Sequence, residues 1–245
     1  MRTLVVMPTY QEAGNIREVL TRIRDAAPEV DILVVDDSSP DGTADLARAV
    51  ADDVGHIDVV VRPKKDGLGN AYRQGFAIGM ERGYDRLAQI DADLSHDPSV
   101  LPQLLAGLDD GLDMVVGSRY IPGGSIPDAW PWHRRALSRW GNRYACWVLG
   151  IPIRDATGAF RAYRADALKS IDVQATRARG YGFQIEIGYR LSKRTDAIRE
   201  IPIEFNDRVA GHSKLSLLVA VEELALATGW GLRDLIMRRR RRRVS

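Results

Sequence analysis

Two aspartates one residue apart, Asp91 and Asp93, are the side chains of this sequence best placed to do chemistry. They follow a short apolar run, Leu87–Ile90, and in extended backbone two side chains so spaced share a face. Hard carboxylate oxygens in that arrangement suit Mg²⁺ or Mn²⁺ held jointly with substrate phosphates. Two further apolar runs end in similar chemistry: Leu4–Met7 leads into Pro8-Thr9-Tyr10-Gln11-Glu12, and Ile32–Val35 leads into Asp36-Asp37. Carboxylates gathered at one edge repel each other unless a cation lies among them, so three such ends together point to a metal-and-phosphate site. Cationic side chains follow. Arg119 comes just after the run Met114–Val116. Arg208 and Lys214 bracket Ala210-Gly211-His212-Ser213, a loop suited to closing on phosphates. Arg134, Arg135, Arg139 and Arg143 are interleaved with Trp130, Trp132, Trp140 and Trp147. Arginine forks grip phosphate bidentately. The arginine–tryptophan segment has three readings: stacking on nucleic-acid bases, binding at a membrane surface, or a packed helix with its tryptophans turned inward.

The elements that must position these residues alternate along the first half. Leu4–Met7, Ile32–Val35, Ile57–Val61, Leu87–Ile90 and Met114–Val116 read as buried strands. Between them Gln11–Ala27, Thr43–Val54, a segment opening at Gly67–Gly69 and reaching Glu81, and Pro98–Leu108 read as helices. Repeated strand–helix units imply a mostly parallel sheet flanked by helices, an α/β fold. In such sheets ligands bind beyond the carboxyl ends of the strands, which is where the acidic residues fall. The second half is less regular. A mobile loop leading into a helix is expected over Tyr120–Arg143, a helix over Phe183–Leu191, a strand over Ile198–Ile203, and a long helix over Lys214–Met237 interrupted by Gly229 and Gly231.

Composition removes several classes of function. The chain has 245 residues, 45% hydrophobic and 28% charged, ordinary for a globular protein with its own core. Cys146 is the single cysteine, which excludes a disulfide framework and a cysteine-based zinc site. The longest stretch free of Asp, Glu, Lys and Arg is Pro98–Leu108, far short of the roughly 20 residues a membrane-spanning helix needs, and the N-terminal apolar run is too short for a signal peptide. No G-x-x-x-x-G-K-[ST] loop, no G-x-G-x-x-G after the first strand and no G-x-S-x-G elbow occurs. Gly67-Leu68-Gly69 is a weak phosphate-loop signal. His56, His96, His133 and His212 have no metal-ligand spacing and are expected at the surface. The formal charge of +2 conceals an asymmetry: without the six arginines Arg238–Arg243 it becomes −4. Such a tail attracts a polyanion, nucleic acid or anionic membrane, or is simply solvated.

Longer stretches sharpen the reading. VVMPTYQEAGNI, VVDDSSPDGTADLA, GLGNAY, QIDADLSHDP, GSRYIPGG, DATGAFRAYR, GYGFQIEIGYR and EIPIEFNDRVAGHSKLS together resemble the polyprenol-phosphate (dolichol-phosphate) mannose synthases within glycosyltransferase family 2, over most of the chain from Val5 to about Leu215. The resemblance implies a GT-A type nucleotide-diphospho-sugar transferase fold, with a catalytic domain over residues 1–213 and a C-terminal helix and arginine-rich tail over 214–245 serving membrane-surface attachment. It implies GDP-mannose as donor, a polyprenyl (dolichyl) phosphate as acceptor and no nucleic-acid partner. Pro8, Tyr10 and Glu12 would line the guanosine pocket beside Val35 and Asp37. Asp91, Ala92 and Asp93 would form the metal–diphosphate site for Mg²⁺ or Mn²⁺, with Ser95 a weaker ligand standing where some relatives have Gln. Arg119, Arg208 and Lys214 would contact donor or acceptor phosphates, Asp91, Asp93 and Arg119 carrying catalysis. Arg134 and Ser138 would hold the lipid phosphate. Attachment is then peripheral, at the cytoplasmic face of an anionic membrane, or supplied by a membrane-anchoring partner protein. A UDP-sugar donor with the same acceptor is the nearest alternative, and a nucleic-acid-binding module a more distant one.

Overall fold

The computed structural model describes residues 1–180, 182–207 and 224–236. A seven-stranded sheet forms the centre, in the order β3-β2-β1-β4-β6-β5-β7. The strands are β1 (Thr3–Thr9), β2 (Asp31–Asp36), β3 (Ile57–Val61), β4 (Arg86–Gln89), β5 (Met114–Ser118), β6 (Arg161–Arg164) and β7 (Ile198–Pro202). All pairings are parallel except those of β6, which runs antiparallel to both β4 and β5. The helices are α1 (Ile16–Ala26), α2 (Thr43–Val54), α3 (Leu68–Glu81), α4 (Leu101–Asp109), α5 (Trp132–Leu149), α6 (Ala165–Ser170) and α7 (Gly182–Ser192). Residues 224–236 form a further helix, α8.

Alternation within the strands divides the core in two. Leu4 and Val6 of β1 face one layer with Tyr72, Phe76 and Phe183 of α3 and α7. Val5 and Met7 face the other, with Ile16, Leu20 and Ile23 of α1 and Leu104 of α4. Helix α3 lies unusually close to the sheet: a Cβ on Gly75 would stand 2.2 Å from Val6 Cγ1. The chain runs outward from β1 to β2 to β3 and then restarts on the other side of β1 with β4. The crevice where this order reverses is the topological switch point, the ligand-binding place of an open α/β sheet.

The mostly parallel sheet agrees with the sequence reading, and the differences have local causes. The helix expected from Gln11 begins only at Ile16: Gln11 has a left-handed backbone, φ +58°, incompatible with a helical start there, and the N–H groups of residues 11–13 go to side chains of the next acidic loop. Gln11 N donates to Ser39 Oγ at 2.9 Å, Glu12 N to Thr43 Oγ1 at 3.0 Å and Ala13 N to Asp41 Oδ2 at 3.2 Å. β6 has no counterpart in the reading, because its sequence, RAYR, lacks an apolar run. The helix expected within Tyr120–Arg143 is α5, which begins at Trp132 and runs past Arg143 to Leu149. Of the helix expected over Lys214–Met237, residues 214–223 and 237 lie outside the described residues, as do 208–213 and 238–245. Within 224–236 the helix runs unbroken through Gly229 and Gly231. Gly231 is a contact point, since a Cβ there would stand 2.6 Å from Val148 Cγ1 of α5. Tyr144 and Thr228 hydrogen-bond across the same helix pair at 2.9 Å. Among the described residues no helix is long and apolar enough to cross a membrane.

Candidate active site at the sheet switch point

β4 ends at Gln89, and Asp91 follows directly beyond it. Its side chain is 23% exposed. From α3, the buried Tyr72 hydroxyl donates to Asp91 Oδ1 at 3.3 Å. Burial raises the Tyr72 pKa well above its usual value, and the neighbouring Asp91 carboxylate pushes it the same way, so the hydroxyl remains a donor. Asp93 lies in a turn rather than in extended backbone, and Leu94 has φ +60°, so the strand alternation expected for Asp91 and Asp93 does not hold. The turn is closed by Ser95, whose N–H and Oγ both donate to Asp93 Oδ1, at 3.0 and 2.5 Å. In this structure Ser95 braces Asp93. His96 corrects a second expectation. It is buried, with Nε2 3.9 Å from Asp91 Oδ2. Burial pushes its pKa down to about 4, so it stays neutral near pH 7. Its ring packs on Phe160 and Phe205 at centroid distances of 5.4 and 5.1 Å.

On the β4 side of the switch point, Arg119 follows β5 and is gripped by Asp155. Nε and Nη2 donate to the two carboxylate oxygens at 2.7 and 2.8 Å, the backbone N–H adds a third bond at 3.0 Å, and Thr157 Oγ1 accepts from Nη2 at 2.7 Å. Burial alone would favour the neutral form of each partner. Their mutual attraction outweighs it, raising the Arg119 pKa and holding Asp155 at about 2. The Asp155 loop is fixed from beneath by the fully buried Arg161, which donates to the carbonyls of Gly158, Ala156 and Gln184 at 2.8, 2.7 and 2.9 Å. Phe205 links the two groups. It meets the His96 ring, lies 5.2 Å from the Arg119 guanidinium and packs edge-on against Trp130. The Trp130 ring in turn carries the Arg134 guanidinium at 3.7 Å. Ser138, one turn further along α5, hydrogen-bonds the Tyr120 hydroxyl at 2.6 Å. Thus Asp91, Asp93, Arg119, Arg134 and Ser138 belong to one contiguous set of contacts.

The remaining predicted residues sit on the other side of the crevice. Val35 is fully buried in the core, opposite Pro8 of β1 and Val60 of β3 in the sheet register. Asp37 pairs with Arg62 at 2.6 Å, both nearly buried, and burial raises its pKa against the pull of the guanidinium. Lys65 Nζ lies 4.0 Å above the half-buried Tyr10 ring. Glu12 accepts from Asn15 Nδ2 at 2.9 Å, and its carbonyl receives the first amides of α1. Arg208 and Lys214 lie outside the described residues. Gly67 and Gly69 have a structural use: Gly69 N donates to Arg179 O at 2.8 Å, and a Cβ on Gly69 would stand 2.4 Å from Ala178 O.

Tyr72, His96, Asp155 and Phe205 are the site residues that sequence reasoning missed. All four stand inside the stretches that carried the family resemblance. Only their residue type, aromatic or loop acid rather than strand-end carboxylate, kept them unassigned. Among the described residues no three His, Cys, Asp or Glu side chains form a metal cage. Two neighbouring carboxylates, one partly exposed and one braced, do fit a hard cation that takes its other oxygens from a bound diphosphate and water.

The chain belongs to glycosyl transferase family 2, whose model matches residues 4–172, and its fold is of the GT-A type. It is 45% identical over 232 residues to an undecaprenyl-phosphate mannosyltransferase of Micrococcus luteus, covering 95% of each chain. It is 43% identical over 240 residues to a polyprenol monophosphomannose synthase of Mycolicibacterium smegmatis, covering 98% of this chain and 90% of that one. Among solved structures it resembles glucosyl-3-phosphoglycerate synthase from Mycobacterium tuberculosis, determined with Mn²⁺, uridine diphosphate and phosphoglyceric acid. The TM-score is 0.67 at 20% identity, covering 97% of this chain and 78% of that one, a likeness of fold.

Proposed function

We infer that this protein transfers mannose from GDP-mannose to a polyprenyl phosphate, releasing GDP and polyprenyl-phosphate mannose with inversion at the sugar carbon. The observation that carries the reading is one run of contacts, Asp91–His96–Phe205–Arg119, that joins a partly exposed Asp91 to an Arg119 fixed by Asp155, in a chain whose near full-length relatives bear the names of mannosyl-transferring enzymes.

The acceptor phosphate is the nucleophile. A phosphate monoester has its second pKa near 6 and is largely dianionic at neutral pH, so it needs no strong base. The neutral, buried His96 is consistent with that: it shapes the Asp91 side of the site and is not asked to accept a proton. What the reaction needs is positioning and relief of repulsion between two anionic substrates. Arg134 and Ser138 on α5 hold the lipid phosphate. Arg119, kept cationic and oriented by Asp155, neutralises charge between acceptor and donor. Pro8, Tyr10, Glu12 and Asp37 line the guanosine side beside Val35, and Arg208 and Lys214 close on the phosphates. Asp91 and Asp93 would hold the divalent ion, Mg²⁺ or Mn²⁺, with Ala92 between them and Ser95 as brace. When bound, that ion supplies charge neutralisation to the departing GDP diphosphate. The oxygen of the lipid phosphate bonds to the anomeric carbon as the bond to the GDP β-phosphate breaks. The electron pair leaves with GDP, and an α-linked donor yields a β-mannosyl phosphate.

The lipid substrate places the enzyme peripherally at the cytoplasmic membrane face, with the 214–245 segment and its arginines on anionic lipid or on a membrane partner protein. The test is transfer of label from GDP-mannose to a short polyprenyl phosphate, with and without Mg²⁺ or Mn²⁺. Label in the lipid phase is the expected result. Label only from a UDP-sugar would keep the reaction class and replace the donor.

A further inference from the structure

Arg119 and Arg134 come from different elements and carry like charge, yet each guanidinium rests on an aromatic ring. That of Arg119 lies 5.2 Å from the Phe205 ring centre, and that of Arg134 lies 3.7 Å from the Trp130 ring centre. The two rings meet edge to face, 5.8 Å apart at 74°. Both are held in place by other groups. Trp130 is buried, whereas Trp132, Trp140 and Trp147 are exposed, so the packed reading of these tryptophans holds for Trp130 alone. Its Nε1–H donates to Asp207 Oδ1. Phe205 lies in a segment pinned along both edges. Its N–H donates to Ser125 O at 3.1 Å, and the following amide, Asn206 N, donates to Ser95 O at 2.9 Å. Neither guanidinium is fully engaged. Asp155 and Thr157 take Nε and Nη2 of Arg119, while Nη1 makes no hydrogen bond among the described residues. Arg134 is exposed and has no carboxylate partner among them.

We propose that Trp130 and Phe205 are positioning residues that set Arg119 and Arg134 as a two-guanidinium cradle for a phosphate monoester, the headgroup class of the acceptor. A cation over an aromatic face is attracted by the ring quadrupole, more strongly where water is excluded. The ring takes the face of the guanidinium and leaves the N–H donors at its edge free. A carboxylate partner would orient Arg134 equally well but would occupy the donors that a phosphate needs and cancel the charge that attracts it. Two arginines drawn toward one ligand also repel each other, and a ring against each offsets that repulsion without neutralising either. A dianionic monoester presents three acceptor oxygens to such a pair, so the cradle favours a monoester over an alcohol of the same chain. Phe205 also meets His96, which lies beside Asp91, so the ring that orients Arg119 is itself fixed against the metal side of the site. The inference rests on the lipid-phosphate reading above and adds to it two side chains that act through the arginines.

The experiment titrates the full chain with farnesyl phosphate, and with farnesol as the control for the tail, by calorimetry. A transfer assay beside it varies farnesyl phosphate and GDP-mannose in turn. Trp130→Leu should bind farnesyl phosphate about tenfold more weakly, with the acceptor KM raised and the GDP-mannose KM unchanged. Trp130→Phe, which keeps a ring under Arg134, should stay within about threefold of wild type. Phe205→Leu should weaken binding about fivefold, and Phe205→Tyr should restore it. In an Arg134→Gln background, Trp130→Leu should weaken binding no further, because the ring acts through that guanidinium. An equal loss in both backgrounds would make Trp130 a packing residue only and overturn the proposal. So would a Trp130→Leu protein that binds like wild type, or a wild type that binds farnesol as tightly as farnesyl phosphate. If melting shows Trp130→Leu unfolded, the Phe205 pair decides: equal affinity in Phe205→Leu and Phe205→Tyr overturns the cradle. The expected order of affinities in a protein that transfers no mannose would support the cradle and remove the mannose reading, so the two can fail separately.

Discussion

At the end of β2, Asp36 is fully buried and accepts from Thr9 Oγ1 and from the Ser39 N–H and Oγ, while Asp37 is locked to Arg62. At the end of β4, Asp91 receives one hydroxyl from Tyr72 and keeps part of its surface open, and Asp93 is steadied by Ser95. In sequence the two ends look alike, acidic pairs after apolar runs. In the structure the first joins the β1 and β2 loops together, and the second opens on the crevice. The difference lies in exposure: the Asp36 residue is fully buried and the Asp37 side chain is 8% exposed, whereas the Asp91 side chain is 23% exposed. A strand-end aspartate buried among its donors holds the fold, whereas one that keeps part of its side chain exposed is placed for substrate.

That contrast can be broken by exchanging the losses. Asp91→Asn should lower transfer about a thousandfold while moving the thermal midpoint by only about 2 °C, as read by turnover and by melting of one preparation. Asp36→Ala should do the reverse: about 2–4 kcal/mol of stability lost, because the buried Thr9 hydroxyl and two half-buried Ser39 donors are left without their acceptor, seen as a shifted denaturant midpoint. An Asp36→Ala protein as stable as wild type would end the distinction. Asp155→Ala leaves Arg119 buried and unpaired and should cost about 3–5 kcal/mol. Asp155→Asn, which keeps the shape, should fold better yet still lose turnover if Arg119 orientation matters.

Acid should act on the same side of the crevice. Asp155 is held at about 2 against an ordinary 3.8, so its contribution is complete above pH 4 and is lost as pH falls toward 2, amounting to about 2 kcal/mol. His96 titrates near 4 rather than 6.5. The unfolded chain therefore binds its proton first, and stability declines as pH drops from 6.5 toward 4. Denaturant unfolding across pH 7 to 3 should show that decline beginning below neutrality. A flat profile would contradict the buried, neutral His96. The smallest effects belong to the braces. Ser95→Ala should weaken activation by divalent metal about tenfold with little change at saturation, and Tyr72→Phe should cost about threefold in turnover.

Much of this arrangement was legible in the residues themselves. Five strands of the parallel sheet announced themselves as apolar runs, and their polar ends marked the ligand edge. β6 did not, since a strand reading RAYR takes its place from the antiparallel neighbours on either side and from Arg161, whose charge is absorbed by backbone carbonyls. Asp155 was hidden because a loop aspartate has no pattern until its partner, distant in sequence, is known. Gln11 stayed out of α1 because its backbone is left-handed, φ +58°, with the amides of residues 11–13 docked on side chains of the loop after β2, a tertiary arrangement that periodicity cannot carry. The tryptophans of α5 showed the converse: their spacing was readable, but whether they faced in or out depended on which side of the helix the sheet covered.

In the proposed reaction, one site joins a GDP-mannose donor to a lipid phosphate through Asp91 and Arg119. The most direct measurement is transfer from labelled GDP-mannose to a short polyprenyl phosphate by wild type, Asp91→Asn and Asp36→Asn, with the anomeric configuration of the product determined by NMR. The account predicts a β-linked mannosyl phosphate from wild type, near-complete loss in Asp91→Asn, and specific activity retained by whatever fraction of Asp36→Asn folds. An α-linked product, or an Asp91→Asn protein as active as wild type, would contradict it.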